Sequence, residues 1–158
     1  MASSKKKTTS KKAPSDAIAL LKQDHEKVRG LLGQLENASG ARRDKLLGQV
    51  EHELKIHTQI EEEIFYPAYR DAARSKEDKK LYFEAVEEHH VVDLVIPDTH
   101  EGQTPEELKA KAKVLKDIVE HHAEEEEKEM FPRARKVMDK EELRSLGEMM
   151  ARRKEDLA

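Results

Sequence analysis

The sequence predicts an all-α protein, an up-down-up-down four-helix bundle with a short C-terminal helix. Three observations predict it. Apolar residues recur at three- and four-residue steps through long stretches, the period of one helix face. Charged residues make up 41% and aromatics 4%, with six Gly and five Pro, which is the mixture of helices with heavily charged outer faces. The connections between stretches are short, and short connections favour antiparallel neighbours. A chain of 158 residues suggests one domain. We divide it into a disordered Lys-rich tail (residues 1–15), the bundle (16–138) and a C-terminal helix (139–158).

The first helix is expected over residues 16–37, with Leu20, Leu21, Val28, Leu31, Leu32 and Leu35 forming its stripe. Ser15 is the expected N-cap, and Ser39-Gly40 ends the helix. The second is expected over residues 41–73. Its stripe holds Leu46, Val50, Leu54, Ile60 and Ile64, interrupted by His57 and Glu61. A polar pair on an apolar face is costly unless something satisfies it. The third helix begins at the cap Ser75 and passes through Tyr82, Val86, His89 and Val92, with Pro97 expected to end or kink it. A loop follows over residues 98–103. Thr104-Pro105-Glu106-Glu107 then reads as an N-cap, a first-position proline and a capping box. This fourth helix runs to residue 138 through Leu115, Ile118, Val119, His122, Glu126 and Met130. Asp139 with Glu142 caps a final helix that carries Leu143, Leu146 and Met150 and ends in a charged segment.

One motif occurs twice. His57, Glu61 and Glu62 lead to Phe65-Tyr66-Pro67, and His122, Glu126 and Glu127 lead to Met130-Phe131-Pro132. The offset is 65 throughout (57 to 122, 61 to 126, 67 to 132), which marks an internal repeat. Residues i and i+4 share one helix face, so each copy aims an imidazole and a carboxylate together. Two such helices facing each other would converge two His and two Glu, a metal-type donor set. Each proline should kink its helix or open the last turns.

The repeat extends further. Asp24-His25 aligns with Glu88-His89, so His25 and His89 join the candidate ligands. In the doublets His89-His90 and His121-His122, we choose His89 because it keeps Val92 in step with Val28, and His122 because it matches His57. The alternates would point about 100° away. The candidate metal ligands are therefore His25, His57, Glu61, His89, His122 and Glu126. Left without a cation, two carboxylates and four imidazoles in a core would be poorly compensated. Glu62 and Glu127 read either as supporting carboxylates or as part of a solvated acidic face, and Tyr66 and Tyr82 as candidates for hydrogen bonding to a metal-bound ligand.

Zero Cys excludes disulfides, zinc–thiolate sites, iron–sulfur clusters and thiol nucleophiles. No apolar run approaches the ~18 residues of a membrane helix, and residues 1–15 lack the apolar core of a signal peptide. A cytoplasmic protein without a membrane partner is the expectation. Lys5, Lys6, Lys7, Lys11 and Lys12 give the tail +5, which leaves −9 on the remainder of a chain of net charge −4. An aromatic-free tail on an acidic domain argues for a solvated leader and against nucleic acid as a partner. No Gly-rich phosphate loop or Ser/His/Asp arrangement is present.

These residues resemble the hemerythrin-like family, the HHE cation-binding domain, over roughly residues 16–138. The resemblance is carried by Asp24-His25-Glu26, the stretch from His57 to Pro67, Glu88-His89-His90, and the stretch from His122 to Pro132. It implies a four-helix bundle around a non-heme di-iron centre, two Fe ions with an oxo, hydroxo or water ligand between them. Glu61 and Glu126 would bridge the irons and the four histidines would be terminal ligands. The oxygen-carrying members have a further histidine one turn before His89, where this chain has Ala85. One iron should then be more open. That favours sensing, storage or iron handling, with O2, or peroxide or NO, as the small ligand and an unidentified redox partner. The alternative is a di-iron peroxidase or catalase-like enzyme acting on hydrogen peroxide.

Overall fold

The computed structural model describes residues 14–158, so most of the Lys-rich tail lies outside the described residues. Those residues are mostly helical, with no strand among them. The helices are α1 (Ala17–Glu36), α2 (Gly40–Ile60), α3 (Tyr66–Ala72), α4 (Lys76–Thr99), α5 (Pro105–Glu125), α6 (Phe131–Val137) and α7 (Lys140–Leu157). A π-helical turn, Glu61–Phe65, joins α2 to α3, and a second, Glu126–Met130, joins α5 to α6. No helix is long and apolar enough to cross a membrane.

The helix ends follow local chemistry, with one correction. Asp16, not Ser15, caps α1, its carboxylate accepting from the Ala19 N–H at 2.8 Å. Ser75 caps α4 and Thr104 caps α5, each side chain accepting from the third residue on. At Thr104 the expected box is half made, because the Glu107 side chain accepts from the Gln103 N–H. Asp139 and Glu142 form a complete capping box. Gly40 enters α2 at φ +57, which glycine adopts without a steric penalty. Pro97 sits inside α4, and the helix continues to Thr99. So close to the C-terminus the missing N–H removes only one late bond. The last helix, α7, runs through the charged segment to Leu157.

Both π turns lie just before the repeated prolines. The Tyr66 N–H donates to the Glu61 carbonyl and the Phe131 N–H to the Glu126 carbonyl, five residues back instead of four. The opened turns expected from Pro67 and Pro132 take this form. The extra residue widens the turn, so the proline ring avoids the carbonyl that it would meet in a regular helix.

Two apolar clusters form the core. One gathers Ile18, Leu21, Phe65, Tyr69, Ala85, Phe131 and Met150, and the other Val28, Leu32, Val50, Leu54, Val92 and Leu115. Between them each long helix carries one buried polar step: Asp24 and His25, His57 and Glu61, His89, and His122 and Glu126. Along the chain α1 and α4 pass from the first cluster to the second, and α2 and α5 pass back. The polar step is thus a layer enclosed by apolar residues on both sides.

Candidate metal centre

All six sequence-selected side chains lie in this layer and are buried. They converge. His25, His57 and Glu126 bring donor atoms within 4.8 Å of one another, and so do Glu61, His89 and His122. Each trio combines two histidines of one repeat with the carboxylate of the other. The carboxylates also touch the histidines of their own repeat. Oε1 of Glu61 lies 2.6 Å from His57 Nε2 and 3.6 Å from His89 Nε2. Oε1 of Glu126 lies 3.0 Å from His122 Nε2 and 3.3 Å from His25 Nε2. Both carboxylates therefore stand between the two histidine pairs. His90 and His121, the other members of the doublets, have side chains 64% and 68% exposed.

Every imidazole is oriented from behind. His25 Nδ1 donates to Glu127 at 3.2 Å, His57 Nδ1 to Asp24 at 3.0 Å, His89 Nδ1 to Glu62 at 3.1 Å and His122 Nδ1 to Glu88 at 3.1 Å. A carboxylate at Nδ1 fixes the tautomer, turns Nε2 inward and strengthens it as a donor. Glu62 and Glu127 thus act as supporting carboxylates. Sequence reasoning missed Asp24 and Glu88 in this role. Their signal was present in the aligned Asp24-His25 and Glu88-His89 pairs, but each acid serves a histidine on another helix.

Two aromatic rings close the layer. Tyr66 stacks on His89 and Phe131 stacks on His25. The Tyr66 hydroxyl donates to Glu126 Oε2 at 3.0 Å and lies 3.1 Å from His89 Nε2. Burial and then the Glu126 charge push its phenol well above the ordinary range, so it stays a neutral donor. Tyr82 is only half-buried and packs edge-on against Tyr66.

The charges fit a cation. Burial opposes protonation of His57, yet the Glu61 charge and the hydrogen bond to Asp24 outweigh it and push the group up to about 10. His122 is raised well above the usual range against burial, chiefly by the Glu126 charge. Glu126 is held well below its usual range, burial being outweighed by the His122 charge. The layer concentrates negative charge that only bound protons or a cation can balance. Its geometry favours the cation. Nε2 of His25, Nε2 of His57, both Glu61 oxygens and Glu126 Oε1 have no hydrogen bond of proper geometry among the described residues, only the close imidazole–carboxylate contacts given above, although such buried atoms are normally paired. His89 Nε2 and His122 Nε2 face each other at 3.1 Å. The atoms without a hydrogen bond all belong to residues of the two trios.

The sequence matches the family described as Hemerythrin HHE cation binding domain over residues 16–134. The chain belongs to that family. Its members bind a metal cation, typically iron, and the His/Glu layer is where this hemerythrin-like chain collects donors. Among curated relatives, uncharacterized proteins of Mycobacterium bovis and Mycobacterium tuberculosis are 30% identical over 145 residues, 90% of this chain and 87% of theirs. A DNA nickase of Nostoc sp. is 26% identical over 124 residues, 78% of this chain. The match covers 34% of that protein, so the chain spans about a third of its length. No solved structure matches.

Proposed function

We propose that the protein is a non-heme di-iron protein that binds O2 or a related small ligand in the core of an up-down-up-down four-helix bundle. The alternation of α1, α2, α4 and α5 between the two apolar clusters supports that helix order. His25 and His57 would hold one iron, His89 and His122 the other, and Glu61 and Glu126 would bridge them. When bound, a pair of ferrous ions would supply electrons to a small oxidant held beside them.

The observation that carries the small-ligand reading is a cavity of about 20 Å³ beside the imidazoles, walled by Val28, Leu54, Val92 and Val119. It has room for a molecule about the size of water, so its scale suits a small ligand and not a larger organic substrate. The apolar walls limit water. Ala85 is buried in the neighbouring cluster with Leu81, so the His89/His122 position would gain no third nitrogen there. The Tyr66 hydroxyl is the one phenol within reach of His89 and Glu126, where it can donate a proton or a hydrogen bond.

Ferrous-loaded protein, made without oxygen, should develop ligand-to-metal charge-transfer absorption on exposure to air. An azide titration should then perturb that band. A spectrum unchanged by air and azide would reject the reading. Sustained turnover of hydrogen peroxide that is lost in the double variant His57→Ala, His122→Ala would favour the enzymatic alternative.

A further inference from the structure

The inner donors are nearly symmetric between the two repeats: two histidines at each position, with two shared carboxylates. The layer behind them is not. Asp24, which orients His57, also accepts from the Lys154 ammonium of α7. Glu127, which orients His25, is gripped by Arg29 at 3.1 Å and 2.9 Å. Both acids behind the first pair are therefore neutralised.

The acids behind the second pair have no Lys or Arg partner among the described residues; Glu88 has only the exposed imidazole of His121, 3.7 Å away. Glu62 contacts His89, and no Lys or Arg reaches it among the described residues. Where the first repeat has Arg29, the second has Asp93, at the same 64-residue offset that relates His25 to His89. Asp93 lines a surface groove together with Glu62. Glu88 neighbours a further acid, Glu125, in a surface cluster that also holds His121. Helix α7, the source of Lys154, occurs once in the chain and so has no counterpart in the second repeat.

An uncompensated carboxylate at Nδ1 makes an imidazole a stronger donor, and a cation on that carboxylate withdraws the effect. We propose that the two cation positions are unequal. The His89/His122 position, backed by Glu62 and Glu88, binds the tighter ion and better tolerates the higher oxidation state. The His25/His57 position, with Lys154 and Arg29 behind it, holds the weaker and more readily reduced ion. Lys154 and Arg29 are positioning residues that act through Asp24 and Glu127. This inference rests on the two-ion reading above.

Titration of the metal-free protein with Co2+, which carries a visible spectrum and no redox complication, tests it without reference to activity. The wild type should fill in two resolved steps. Lys154→Met should tighten the weaker step by roughly tenfold, the scale of such outer contacts, and leave the tighter step alone. Glu88→Gln should weaken the tighter step by a similar factor, and Lys154→Arg should behave as wild type. Circular dichroism checks folding, and Glu88→Gln carries the test if Lys154→Met does not fold. Two equal steps in the wild type, or steps that Lys154→Met and Glu88→Gln leave in place, overturn the inequality while the two-ion reading stands. No bound Co2+ overturns both.

Discussion

Tyr66 and Phe131 hold the same place in the two repeats, 65 residues apart, each over a buried histidine. Ring centroids are 5.2 Å apart for Tyr66 and His89 and 5.9 Å for Phe131 and His25. The hydroxyl is the whole chemical difference between them, and it satisfies Glu126. Tyr66→Phe should cost the metal-free protein about 1–3 kcal/mol, the usual penalty for orphaning a buried acceptor. The metal-loaded protein should lose less, because an ion can take the freed oxygen. Denaturant unfolding with and without metal measures the two losses. Equal losses would show that the hydroxyl serves packing alone.

Helix α7 is seated by a glycine. A Cβ on Gly147 would lie 2.7 Å from the Ala17 nitrogen and 2.8 Å from the Asp16 carbonyl carbon. Lys154 lies seven residues after Gly147 and Asp24 seven after Ala17, so α7 runs alongside α1 in the same direction. Gly147→Ala gains roughly 1 kcal/mol of helix propensity but must push backbone from backbone. Overpacking of this kind costs about 1–3 kcal/mol. We expect a lower Tm and a cobalt titration displaced toward that of Lys154→Met. A Tm equal to or above wild type would refute the close seating.

Asp78 ties three helices at the end of the molecule where the prolines lie. It accepts from the Tyr69 hydroxyl at 2.5 Å, the Ser75 hydroxyl at 2.6 Å and Arg133 at 3.4 Å. Burial raises its carboxyl, but these bonds outweigh burial and hold it below the ordinary 3.8. A lowered native value stabilises the fold fully above 3.8, and that stability is lost as pH falls below it through the native value. Asp78→Asn should therefore cost about 1–3 kcal/mol at pH 7, with the gap from wild type closing toward pH 3. A gap independent of pH would place the effect in packing instead of charge.

Much of this was legible in the sequence. The constant 65-residue offset exposed both His–Glu pairs, and an amphipathic stripe broken by His57 and Glu61 showed where polar groups enter the core. Other features were not readable. Asp24 and Glu88 stand next to histidines in the chain but serve His57 and His122 on other helices, which only packing reveals. Lys154 lies in a charged run that looks solvated, and α7 has no repeat to align with. Pro67 and Pro132 announced a break in each helix without saying that a five-residue bonding step would absorb it. Ser15 and Asp16 are both good caps, and local geometry chose the second.

The most direct measurement is the metal content of protein reconstituted with ferrous iron and freed of excess ion. Wild type should retain two irons per chain, and His57→Ala with His122→Ala should retain fewer than one, with both proteins helical by circular dichroism. A wild type that binds no iron, or a double variant that binds as much as wild type, would contradict the account.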